Sequence, residues 1–267
     1  MLKKLLLASL IVLAMLFCFV ACDDNSSSKK PSFDAKSTPL TLENCGDSTM
    51  LVTLTITGYS DDEINMKYSI AGGEQYKISR LGLLHYPVGP GETICFYGDR
   101  KENSGSNAKA VSISCSSDCY IYGNIMSLIT STDFASNTSL ENHSDAFRAL
   151  FRDNSHIKNH ETKDLVLPAT TLSGNCYNEM FYGCTSLTKA PELPATTLVE
   201  HCYEGMFSGC TNLAFVTCLA KTTAQDATKS WLSSVVSTGT FTRPADAVFW
   251  TPDANGIPLG WAIINAE

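Results

Sequence analysis

The chain of 267 residues carries 19 Lys and Arg against 27 Asp and Glu, a net charge of −8 with neutral histidines. That sign repels phosphate backbones, and no Lys/Arg stripe interrupts it, so nucleic acid is excluded as a partner. A hydrophobic fraction of 44% in a chain this long provides for two modest cores.

Residues 1–21 open with Lys3 and Lys4 and continue as an almost unbroken apolar run to Ala21, the pattern of a secretory signal peptide. The run ends Phe19-Val20-Ala21-Cys22, similar to a bacterial lipobox, and a polar tether over 22–37 follows. The expectation is export, cleavage before Cys22 and lipidation of Cys22, with acyl chains holding the protein on a membrane. Ordinary secretory cleavage and a lone transmembrane helix are the alternatives. Loss of Lys3 and Lys4 leaves 17 basic against 27 acidic residues, a balance of −10. An outer-membrane, surface location is expected. Asp23 after Cys22 points toward inner-membrane retention under enterobacterial rules, which leaves the membrane face open.

Residues 38–122 carry the two-residue period of strands. Val52, Leu54 and Ile56 alternate with threonines, Met66, Tyr68 and Ile70 with Lys67 and Ser69, and Val111 and Ile113 with serines. Gly72-Gly73 marks a hairpin turn, and Pro90-Gly91 precedes another strand containing Ile94 and Phe96. Six or seven short strands separated by turns predict an antiparallel β-sandwich domain.

From residue 123 to 238 the reading changes to a repeat. Leu167-Pro-Ala-Thr-Thr-Leu172, Cys176-Tyr177, Met180-Phe181, Gly183-Cys184-Thr185 and Leu187 return 26 residues later as Leu193-Pro-Ala-Thr-Thr-Leu198, Cys202-Tyr203, Met206-Phe207, Gly209-Cys210-Thr211 and Leu213. A fixed period in the twenties is the spacing of a leucine-rich-repeat solenoid. Cys176, Met180 and Cys184 are four apart, as are Cys202, Met206 and Cys210, so each coil is expected to hold a short helix. Leu187–Leu193, with Pro191 inside it, reads as a short extended segment. Phe147, Leu150 and Phe151 belong to an irregular first coil, with a polar insertion before Leu167. A degenerate last coil places Leu213, Val216 and Leu219 26 residues after Leu187, Ala190 and Leu193, and Leu232 26 after Met206. Residues 239–267 break the period and contain Trp250 and Trp261; an aromatic cap over the last coil is expected, and a sugar platform is the alternative.

The fold class expected is therefore α+β: an N-terminal antiparallel β-sandwich, then a short leucine-rich-repeat solenoid with an aromatic C-terminal cap. These coils, the Gly123-Asn124-Ile125-Met126-Ser127-Leu128 entry and the Gly256-Ile257-Pro258 ending resemble the BspA-like leucine-rich-repeat surface proteins of gut and oral bacteria. The resemblance covers most of the chain after the signal peptide, most strongly 165–213. It implies a cell-surface protein, linked in some relatives to adhesion, and brings no catalytic residues. Long coil arrays are common in that group, whereas this chain has about four.

Nine cysteines remain after Cys18 and Cys22, an odd number that argues against a simple disulfide framework. Those in the coils read as small buried hydrophobes, with zinc as the alternative. One or two bridges are open to Cys45, Cys95, Cys115 and Cys119. His156 and His160 are four apart, but in a polar insertion, and no metal or other cofactor is expected. No Gly-x-Ser-x-Gly elbow, P-loop, His-Glu-x-x-His or dinucleotide fingerprint occurs, and the chain is read as a binder and not an enzyme. The expected function is non-covalent binding of host or bacterial protein or glycan by the solenoid face, through Thr188, Lys189, Glu192 and Phe215, with Ala214 and Cys218 beside them. The alternative is a carbohydrate-binding module in the β-sandwich, using Tyr76, Tyr86 and Tyr97, with the solenoid as spacer.

Overall fold

The computed structural model describes residues 33–60, 63–78, 83–101 and 109–266, and residues Phe33–Glu267 make up one compact unit. The segment expected to be a signal peptide, the expected lipidation site Cys22 and most of the expected tether lie outside the described residues.

Eight strands precede the coils: β1 (Leu40–Asn44), β2 (Met50–Thr57), β3 (Ile64–Ile70), β4 (Gln75–Lys77), β5 (Leu83–Val88), β6 (Thr93–Arg100), β7 (Ala110–Cys115) and β8 (Cys119–Asn124). They fall into two sheets, β8-β1-β6-β3-β4 and β5-β2-β7, with antiparallel pairing throughout these strands. Alternation sets the faces: Met50, Val52 and Leu54 are buried while Leu51 between them is 41% exposed. The β3–β4 hairpin turns through Ala71 and Gly72, both at positive φ, as a tight right-twisted connection requires.

Strand β8 crosses residue 122 without interruption and serves both halves. One edge pairs antiparallel with β1; the other pairs in parallel with β9 (Ile157–Asn159) and then β10 (Leu165–Val166) of the first coil. A single 3-10 turn, Ile125–Leu128, follows β8, its first turn closed by the Asn124 side chain accepting from the Met126 N–H. Gly123, at φ 90°, lies where a Cβ would meet the Pro39 carbonyl at 2.1 Å, so no other residue fits.

The α+β class is wrong. Among the described residues there is no α-helix, and the molecule is nearly all β with mixed sheets. The segments expected to be helical are instead chains of tight turns with every fourth residue in the left-handed region: Asp145, Ala149 and Asp153; Asn175, Glu179 and Gly183; His201, Gly205 and Gly209; Asp226, Ser230 and Ser234. A left-handed residue every four positions breaks an α-helix but leaves the four-residue side-chain period intact, which is why Cys176, Met180 and Cys184 share a buried face. The backbone is satisfied in two directions. Asn178, Met180 and Tyr182 donate to carbonyls three residues back, at 3.1–3.2 Å, closing the turns. Tyr177, Glu179, Phe181 and Gly183 donate forward to Cys202, Glu204, Met206 and Ser208 of the next coil, at 2.8–3.0 Å. The same rows join the first coil to the second, and the third to the fourth.

Aromatic side chains stack with the coils. Phe151, Phe181 and Phe207 form one column with centroids 5.5 Å apart, and Phe147, Tyr177, Tyr203 and Trp231 form another at 5.4, 5.8 and 6.3 Å. Each such contact adds about 0.5–1.5 kcal/mol beyond the area it buries. Cys184 and Cys210 form a third column, their thiols donating to the carbonyls of Phe151 and Phe181 at 3.1 and 3.0 Å. Burial pushes the Cys184 thiol well up and that of Cys210 up to about 12, so both stay protonated.

The last coil loses one residue relative to the 26-residue register. Lys189 bridges Phe215, but Leu193 bridges Cys218 and Thr197 bridges Thr222. Hence Cys218, not Leu219, fills the buried position, and Leu232 follows Phe207 and not Met206 in the stack, since the Phe207 N–H donates to Trp231 O. Beyond it, β11 (Phe215–Thr217), β12 (Thr240–Pro244) and β13 (Ala262–Ala266) make a parallel sheet. Trp250 stacks on Trp231 at 5.3 Å and donates to Ala220 O, while Trp261 donates to Val236 O; both are under 8% exposed, which removes them as a sugar platform.

Candidate functional site

Each coil turns from its stacked side into a brief extended run, Leu187–Leu193 in the second coil. Pro191 lacks an N–H, so this side is tied to its neighbour by isolated bridges at Lys189, Leu193 and Thr197 instead of a full ladder. The first coil lies alongside through β9 and β10, and residues 160–164 bulge outward between those strands. Between this bulge and the second coil lies a groove of about 560 Å³, lined by Asn159, Asp164, Lys189, Glu192, Thr217 and the prolines 168, 191 and 194 among others.

Asn159 fixes one wall. Its Oδ1 accepts from the Thr188 N–H, the Thr188 hydroxyl and the Lys189 N–H at 3.0–3.1 Å, and its Nδ2 donates to Lys189 O at 2.9 Å. One side chain therefore ties the first coil to the second, and it sets the backbone at Lys189. The Lys189 ammonium reaches the Asp164 carboxylate at 3.3 Å, with both side chains mostly exposed, a pairing of small energetic weight that a ligand can exchange. Glu192 is exposed on the same rim. The result is a trough with two cations, Lys36 and Lys189, two carboxylates and rigid proline walls, suited to hydrogen bonding with an extended ligand and lacking any nucleophile–base pair.

Of the residues expected to bind, Lys189 and Glu192 line the groove. Thr188 is exposed beside it, with its hydroxyl committed to Asn159. Phe215 is 54% exposed on β11 but does not line the groove. Cys218 is fully buried and leaves the surface face altogether, displaced inward by the register change; Ala214 is half-buried. Asn159 and Asp164 escape a sequence reading that treats 152–166 as a polar insertion. The register itself carries the signal: if Ile157 matches Leu187, Asn159 falls beside Lys189.

A second cluster occupies the β half. Tyr68 meets Tyr76 at 5.6 Å and Tyr86 at 5.4 Å, joining β3, β4 and β5, with Tyr76 49% exposed. Tyr97 lies on β6 and makes no ring contact with this trio. His156 contacts Asp118 at 3.2 Å, whereas His160 packs edge-on against Tyr120 and Tyr122, so the two histidines are drawn to different partners. Among the described residues no three His, Cys, Asp or Glu side chains converge on a point that could hold a metal.

No protein-family model matches the chain, and no curated protein or solved structure matches it either.

Proposed function

We propose that this is an exported, lipid-anchored surface protein, similar to the BspA-like leucine-rich-repeat group, which uses its stacked coils to bind a polypeptide non-covalently. The observation that supports it most is the groove at Lys189 and Glu192: open, walled by proline, and bearing charged groups that are not locked into the fold. Its lining residues include no aromatic ring, which favours an extended peptide over a sugar, since sugar sites rest on aromatic platforms. Lys189 would pair with an acidic side chain of the ligand, while Asp164 and Glu192 would accept from its backbone or from a basic neighbour.

A second reading places glycan binding on the tyrosine shelf of Tyr68, Tyr76 and Tyr86, because Tyr68 lies 5.6 Å from Tyr76 and 5.4 Å from Tyr86, and the half-exposed Tyr76 ring offers a surface for a sugar ring to stack against.

Protease shaving of intact cells tests the location: release of peptides from residues 33–266 is expected without permeabilisation, and release only after it would defeat surface binding. Immobilised extracellular-matrix proteins and a glycan array then separate the two readings. Lys189→Ala with Glu192→Ala is expected to weaken protein binding at least tenfold without altering the unfolding temperature. Glycan binding lost on Tyr76→Ala, with no protein binding, would move the site to the shelf.

A further inference from the structure

The coil cysteines each find a carbonyl or an apolar pocket, but Cys115 and Cys119 are placed differently. Strand β7 ends at Cys115 in one sheet and β8 begins at Cys119 in the other, so the intervening Ser116–Asp118 is the corner at which the chain passes between sheets. That corner is pinned at every residue but Ser117. Ser116 exchanges bonds with Leu51, its N–H donating to Leu51 O at 3.0 Å and its Oγ accepting from Leu51 N at 2.9 Å. Asp118 O accepts from the Cys45 N–H at 3.3 Å, and its carboxylate holds Lys158 and His156. The two sulfurs are thereby held 2.7 Å apart, both under 8% exposed. This is closer than unbonded sulfurs sit and within an ångström of the covalent length of about 2.05 Å.

We propose that Cys115 and Cys119 are a disulfide site, closed in the native protein to staple the corner between the two sheets. Either thiol can open the exchange as its thiolate, and the route from Cys115 is representative. The oxidant is a second disulfide, protein-borne or of low molecular weight. The Cys115 thiolate attacks one of its sulfurs and expels the other as a thiolate, giving a mixed disulfide. Cys119, losing its proton, then attacks the Cys115 sulfur and expels the remaining thiolate. One disulfide is reduced to two thiols as one is formed, and the two protein protons end on those thiols or in solvent. Because both sulfurs are buried, the exchange belongs to folding and the finished bond is shielded from reductant. The inference is independent of the ligand reading and of the compartment, since the oxidant can be supplied in solution.

The full chain is refolded from denaturant with oxidised and reduced glutathione, quenched in acid, alkylated and cleaved before aspartates. Cleavage at Asp118 separates residues 99–117 from 118–132, and therefore divides the two cysteines. The expected result is a linked pair of those peptides that comes apart on reduction, with the coil cysteines alkylated. Cys115 and Cys119 both recovered as free thiols would overturn the proposal. So would either one joined to Cys45, to any other cysteine or to glutathione. A strong reductant is expected to lower the unfolding temperature of the oxidised chain and to leave that of Cys115→Ala/Cys119→Ala unchanged; equal shifts in both would overturn the stapling role.

Discussion

Tyr177 shows how closely the columns are fitted. Its ring lies between Phe147 and Tyr203, it is 1% exposed, and its hydroxyl finds no hydrogen-bond partner among the described residues. Burial pushes its pKa well up, so the group is a neutral phenol throughout the accessible range. A buried hydroxyl without a partner costs about 1–3 kcal/mol relative to water, and the first coil already uses phenylalanine in the same column. Tyr177→Phe is therefore expected to stabilise the protein by about 1 kcal/mol, read as a higher urea midpoint at unchanged slope. A different residue-scale device ties β1 to β8 and the bulge. Glu43 accepts from Lys163 at 2.7 Å and from the Tyr122 hydroxyl at 2.8 Å. Burial alone would raise its pKa, but the bonds from Lys163 and Tyr122 outweigh that and hold it below the usual carboxylate range. A depressed folded-state pKa stabilises the protein above the unfolded value, about 4.3, and that contribution is lost as the pH falls through the folded value. Urea unfolding of wild type and Glu43→Gln should accordingly differ at pH 6 and converge toward pH 3; a gap that persists in acid would assign the effect to something other than this charge.

The turn chains are the element on which the sequence reading went astray, and their columns make a test. Ala149 and Gly205 share a column, as do Asp153, Gly183, Gly209 and Ser234, all left-handed. Glycine adopts that conformation freely, while alanine is strained there by about 1–2 kcal/mol, partly offset by glycine's greater entropy loss on folding. Ala149→Gly should thus stabilise and Gly209→Ala destabilise, each by about 1 kcal/mol in thermal melts. At Gly209 the space for a methyl is ordinary, the nearest atoms being 3.5 Å away in Gly183, so the loss would report φ alone. What could be read from sequence was the burial face, because Cys176, Met180 and Cys184 keep their register under either conformation. What could not was the backbone, since a four-residue period lies close to 3.6 and both place apolar side chains on one side. The overlooked signal was polar: Asp145, Asn175, His201 and Asp226 line up in one column, with glycine or serine recurring in the others, residues that tolerate positive φ. The strands of the β half were legible for the opposite reason, since alternation such as that of Val52 and Leu54 with Thr53 and Thr55 has no helical counterpart. The groove was half legible: Lys189 and Glu192 follow from the repeat, whereas Asn159 and Asp164 belong to the segment in which the repeat is broken.

At the scale of the whole molecule, β8 joins what the sequence presents as two regions. Buried residues from Leu40 to Trp261 form one hydrophobic cluster. The first coil's carbonyls, which have no coil before them, are met by the β half: Ile113 N–H donates to Leu150 O at 2.7 Å, and the buried Arg100 guanidinium donates to Ala146 O. Removing the β half would leave those acceptors without their donors and expose apolar surface, so the two regions are expected to unfold together. Circular dichroism and tryptophan fluorescence should therefore give superimposable denaturation curves, the tryptophans all lying in the coils and the cap. Separate transitions would mean that the coils can stand without their neighbour.

The forward direction of the inter-coil bonds has a further consequence. The second and third coils each offer their successor the same row of N–H groups that their predecessor offered them, as Tyr177, Glu179, Phe181 and Gly183 do for the third coil and Tyr203, Gly205, Phe207 and Gly209 do for the fourth. The middle of the molecule is thus a grammar with interchangeable words, whereas its first and last words are fixed. A gene duplication that copied residues 174–199 in place would add a coil with each hydrogen bond already spelled, and the binding face would lengthen by about 5 Å with no change to either end.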